Sequence, residues 1–94
     1  MFVGIVVAKA ELVVSVTPSA ERFTVVNDER GVRTLMERLR PIGPQLIVLE
    51  ATGGYELIAV AALAAALMPV VVVNPRQVRG FAKVNRAARQ NGSH

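Results

Sequence analysis

Apolar side chains in this chain recur with two different periods, and the change from one to the other divides it into elements. Phe2 to Val7 is a short apolar run, Glu11 to Thr17 is rich in valine, and Arg22 to Val26 alternates polar with apolar residues. Three successive strands follow from these patterns. The connections, around Lys9 and Ala10 and then from Pro18 to Ala20, are too short for a helical crossover. The chain is therefore predicted to open as an antiparallel meander.

The period then lengthens. Asn27 or Asp28 can cap a helix whose apolar residues Val32, Leu35, Met36 and Leu39 share one face, with Arg33, Glu37, Arg38 and Arg40 on the other and Pro41 ending it. Gln45 to Glu50 reads as a strand, and its unbroken Leu46-Ile47-Val48-Leu49 predicts burial on both faces in the centre of a sheet. Thr52 is placed to cap a second helix reaching about Leu67, with Gly53 and Gly54 turning the backbone off the strand. Val70 to Val73 follows Pro69 as a last strand, and Asn74-Pro75-Arg76-Gln77 carries the signals of a third helix start. In that helix Val78, Phe81 and Ala82 can face the sheet, leaving Arg76, Arg79, Lys83 and Arg86 together on the opposite side; from Arg89 onward the pattern fades. The order β-β-β-α-β-α-β-α predicts an α/β fold of the ribonuclease-H-like class, a mixed five-stranded sheet with flanking helices.

Composition narrows this further. Ninety-four residues support one core, so residues 1–94 are expected to form a single domain. With 52% hydrophobic but 4% aromatic residues, that core is built from Val, Leu, Ile and Ala. The absence of cysteine excludes disulfides and thiolate metal sites and makes the cytoplasm the expected compartment. The uncharged run from Leu57 to Val73 approaches the ~20 residues that cross a bilayer. Pro69 divides it into an alanine-rich helix and a valine strand, so no membrane association is expected.

The net charge of +4 is unevenly placed: residues 1–56 hold six bases against seven acids, and residues 57–94 hold five bases and no acid. Such asymmetry suits either a contact with a polyanion or a solvated helix face.

Glu50 is the candidate for chemistry. A carboxylate that closes a buried strand just before a glycine turn lies at the carboxyl edge, where open α/β sheets place their sites, although a charged residue leaving the core would look the same. Thr52, Gly53 and Gly54 could also cradle an anion at a helix start, but no lysine follows as a P-loop requires, which favours a turn.

Three stretches carry a resemblance: Val3-Gly4-Ile5-Val6-Val7-Ala8-Lys9, Val48-Leu49-Glu50-Ala51-Thr52-Gly53-Gly54-Tyr55-Glu56, and Val72-Val73-Asn74-Pro75-Arg76-Gln77-Val78-Arg79. In order and spacing they resemble the N-terminal RuvC-like domain of DEDD-type insertion-sequence transposases. The resemblance implies metal-dependent DNA strand transfer, with Mg2+ held by four acids in the intact family, and a structured RNA guiding target choice in the full-length protein. By the same resemblance Glu50 is a catalytic acid and metal ligand. The family's first strand reads Gly-Ile-Asp-Val-Ala-Lys, and Val6 stands where that aspartate belongs. The Lys-Thr-Asp-x-x-Asp stretch that carries the last two acids does not occur in these residues.

A truncated, catalytically inactive domain with an incomplete metal site and no bound metal is therefore expected. Lys9, Arg76, Arg79, Lys83 and Arg86 are the candidate contacts to nucleic-acid phosphates. DNA is the expected partner, and a homodimer is expected from apolar surface left exposed. The alternative reading is a non-enzymatic nucleic-acid-binding or dimerisation module.

Overall fold

A computed structural model describes residues 1–50 and 53–74, and the predicted third helix with its basic residues lies outside them. The described elements are β1 (Phe2–Val7), β2 (Glu11–Thr17), β3 (Glu21–Val26), α1 (Glu29–Leu39), β4 (Leu46–Glu50), α2 (Leu57–Ala65) and β5 (Val70–Val73). They form one five-stranded sheet in the order β3-β2-β1-β4-β5. β1 and β2 pair antiparallel, as do β2 and β3, whereas β4 runs parallel to β1 and β5 parallel to β4. This is the mixed sheet of a ribonuclease-H-like α/β fold.

The period-two alternation decides which side of each strand is covered. Val3, Ile5 and Val7 of β1, Leu12, Val14 and Val16 of β2, and Ile47 and Leu49 of β4 point to one face and are buried. Val32, Leu35, Met36 and Leu39 of α1, with Ala59 and Leu63 of α2, close over that face in a single core. Both described helices therefore cover the same side. Here the expectation for β4 needs correction: it is an interior strand, but β1 holds the centre, and Val48 on the other face is exposed. The four-residue apolar run overstated the burial because Leu46 and Val48 face away from the helices.

Asp28, and not Asn27, caps α1: its Oδ1 accepts from the Gly31 amide at 2.7 Å. Gly31 is also where the helix meets β3, since a Cβ built there would lie 1.8 Å from the Val26 carbonyl oxygen.

α2 is shorter than predicted. The sequence places its start at Thr52, yet Gly53 and Gly54 have φ of 63° and 102°, and the helix begins only at Leu57 with no side-chain cap. Left-handed residues cannot continue a right-handed helix, so the two glycines build a turn, in which Glu56 Oε2 accepts from the Gly54 amide at 3.0 Å. At the other end, the Leu67 amide donates to Ala64 and the Met68 amide to Leu63, a Schellman closure that stops the helix before Leu67. Leu67 itself sits at φ 58° and is 92% exposed. The run from Leu57 to Val73 is thus helix, turn and strand, and no described helix is long and apolar enough to cross a membrane.

Two substitutions are expected to move stability in opposite directions. Gly31→Ala should destabilise by about 2–3 kcal/mol, because the clash with a backbone carbonyl outweighs the better helix propensity of alanine. Leu67→Gly should stabilise by about 1 kcal/mol by relieving a left-handed conformation at a side chain that packs on little. Urea unfolding midpoints measure both, and the same sign for the two would contradict this account of the helix ends.

Candidate functional site

The parallel register of β1 and β4 pairs Phe2 with Leu46, Val3 with Ile47, Gly4 with Val48 and Ile5 with Leu49. Carried one residue further, it sets Val6 beside Glu50. Because Ile5 and Val7 point into the core, Val6 points to the open face, where it is 49% exposed. Glu50 alternates with buried Leu49 and so shares that face, half-buried at the carboxyl end of β4.

Between them lies a shallow concavity of about 350 Å³, lined by Gly4, Ile5, Val6, Ser15, Val48, Glu50 and Val73. Gly4 contributes to its openness, since a Cβ there would meet nothing within 4 Å. Val73 enters from β5, directly paired with Glu50. The walls are thus almost wholly aliphatic, with the Glu50 carboxylate and the Ser15 hydroxyl as their polar side-chain groups. Among the described residues no three Asp, Glu, His or Cys side chains come together.

Lys9 is exposed in the bend after β1, at the same carboxyl edge, and among the described residues it makes no ion pair with Glu50. The structure thus gathers Glu50, position 6 and Lys9 at one edge. The predicted contacts Arg76, Arg79, Lys83 and Arg86 lie outside the described residues.

One residue was read from the sequence only as a possible helix cap. Asn27 ends up holding this edge together: its Nδ2 donates to the Ala8 carbonyl and to the Tyr55 carbonyl, both at 2.8 Å. Its backbone amide donates to the Ala10 carbonyl at 3.0 Å. Ala8 and Ala10 belong to the turn after β1, and Tyr55 to the turn after Glu50, so one amide group joins three strand ends. Two carbonyl acceptors fix which side-chain atom is the nitrogen, and among the described residues the buried Oδ1 has no partner. The Asn-Asp doublet signalled that one residue was surplus to capping; only the fold shows what the other reaches.

A mixed five-stranded sheet in this order is that of the ribonuclease-H-like fold class. Within that class, the family model for DEDD transposases of the IS110 type, described as transposase, matches residues 3–91. The chain belongs to that family, and membership assigns it to DNA transposition. No curated protein matches it.

The Asn27 clamp gives a graded test. Asn27→Ala should cost about 1–3 kcal/mol by leaving two carbonyls without their donor, and Asn27→Asp should cost more because it turns a carboxylate toward those carbonyl oxygens. Amide hydrogen exchange should quicken in residues 8–10 and 53–56 of either variant. Equal stability of the two variants would show that the side chain does not bind these carbonyls.

Proposed function

We propose that residues 1–94 form a single RuvC-like transposase domain that contacts nucleic acid but has lost the metal-dependent step of strand transfer. The observation that carries this reading is Val6 beside Glu50. Divalent metal chemistry on DNA requires several carboxylates converging on the ion, which activates the attacking oxygen and stabilises the leaving one. The residues present do not fit that requirement. Position 6 offers two methyl groups, Ser15 offers a neutral hydroxyl, and Glu50 alone is a carboxylate. Magnesium held by one carboxylate and water is too weakly bound to serve.

Contact with the polyanion rests on the charge distribution. Lys9 lies at the site edge, and Arg76, Arg79, Lys83 and Arg86 belong to the acid-free stretch from 57 to 94. Such contacts go to phosphates, so they add salt-dependent affinity and no sequence choice. DNA is the partner in this reading, with a guide RNA engaged by the full-length protein and the reducing cytoplasm as the compartment of a cysteine-free chain.

Fluorescence anisotropy with labelled duplex DNA and structured RNA tests the binding. If the five candidate cations reach phosphates, affinity for duplex DNA should fall roughly 500-fold between 50 and 200 mM salt. Undetectable or salt-insensitive binding would remove the reading.

The site is tested separately by calorimetric titration with manganese. The unmodified chain should show no saturable binding, whereas Val6→Asp should gain measurable affinity because a cation relieves the repulsion of two carboxylates on adjacent strands. DNA cleavage should remain absent in both. Tight binding by the unmodified chain would mean that the metal site lies elsewhere, and no gain in the variant would mean that position 6 does not face Glu50.

A further inference from the structure

Aromatic side chains are scarce in this chain, which has three Phe, one Tyr and no Trp, so the place of each is informative. Phe23 lies under the Arg38 guanidinium, whose carbon is 3.7 Å from the ring centre. Phe2 opens β1, at the end of the sheet away from Glu50. Phe81 lies outside the described residues. Among the described residues Tyr55 is therefore the aromatic of the carboxyl edge, in the turn that follows Glu50.

The backbone of this turn is held at several points. Gly53 and Gly54 take left-handed φ values, Glu56 Oε2 accepts from the Gly54 amide at 3.0 Å, and Asn27 Nδ2 donates to the Tyr55 carbonyl at 2.8 Å. The side chain has no comparable restraint. Tyr55 is 47% exposed, and among the described residues its ring meets no other ring and no cation, and its hydroxyl makes no hydrogen bond. A half-exposed ring with two side-chain torsions on a fixed backbone can receive a flat partner at low entropic cost.

Lys9 stands beside it. The same Asn27 nitrogen donates to the Ala8 carbonyl at 2.8 Å, so the turn carrying Lys9 and the turn carrying Tyr55 are fastened to one atom. Lys9 is exposed and, among the described residues, makes no ion pair. A cation and an aromatic ring on adjoining turns match the two parts of one nucleotide, an anionic phosphate and a base with a flat π face. Glu11, Glu50 and Glu56 also lie near this edge and oppose a phosphate. Stacking on an uncharged base escapes that repulsion.

We infer that Tyr55 is a stacking platform for an unpaired nucleobase, with Lys9 taking the adjoining phosphate. The inference rests on the nucleic-acid reading above and adds that the strand at this edge is unpaired, because a base inside a duplex has both faces covered by its neighbours. Every base has a π face, so the platform carries no sequence preference.

With one tyrosine and no tryptophan in the chain, intrinsic tyrosine emission reports on this ring alone. Labelled oligothymidylate, followed by anisotropy, should bind, and the emission should be quenched along the same binding curve. A strand of abasic sites of equal length keeps the phosphates and should bind without quenching. Tyr55→Leu should weaken oligothymidylate binding roughly tenfold and Tyr55→Phe should retain it, with the tenfold ratio equal at 50 and 200 mM salt because stacking releases no counterions. Quenching by oligouridylate as well would add RNA as a source of the base and support the platform equally. Binding that leaves the emission unchanged, as would result if residues 75–94 covered the ring, overturns the platform while the nucleic-acid reading stands. Equal quenching by the abasic strand, or unaltered affinity in Tyr55→Leu, does the same. No binding of any strand removes both. The emission of the unmodified chain decides the matter even if the leucine variant fails to fold.

Discussion

The parallel pairing of β1 with β4 is the contact on which this molecule depends. It joins residues 44 apart in sequence, from Phe2 with Leu46 to Ile5 with Leu49, and its four inward side chains, Val3, Ile5, Ile47 and Leu49, are essentially without exposed surface. Loop-closure entropy opposes such a pairing, and α1, which fills the connection between β3 and β4, recovers it by burying its apolar face on the same core. Without that pair the meander would be a three-stranded sheet with one bare face, and β5 would have no strand to join.

The same pairing divides the work of the sheet. One face is packed by α1 and α2 and supplies the stability; the other carries Gly4, Val6, Val48 and Glu50. A residue on the packed face cannot change its polarity without disturbing the core, whereas a residue at position 6 can. Valine there is half exposed, suits an extended backbone, and spares the sheet a carboxylate beside Glu50. Valine at position 6 is thus physically inexpensive, because the core that holds the fold lies on the other face of the sheet.

The edge strands show a related division. β3 is shielded by Arg38 and Glu21, and β5 is bare valine. The uncharged stretch that contains β5 is followed directly in sequence by the acid-free basic stretch.

Much of the architecture was legible in the residues alone. The boundaries of β1, β2 and β5 match the apolar runs, the face of α1 follows from Val32, Leu35, Met36 and Leu39, and the order of elements pointed to the ribonuclease-H-like class. These are local properties, set by side-chain period and turn chemistry within a few residues. Glu50 could likewise be singled out, because a carboxylate ending an apolar strand is a local anomaly. What the sequence left undecided depended on partners distant along the chain. The strand order put β1, and not β4, in the centre, and the shared helix face left Val48 exposed. The start of α2 fell at Leu57 and not at Thr52, because Gly53 and Gly54 adopt left-handed φ values that a right-handed helix cannot include. Asn27 could be read as a cap until the fold brought Ala8 and Tyr55 within reach of its amide. A hydrogen bond across 28 residues leaves no periodic trace, so only the tertiary structure could assign it.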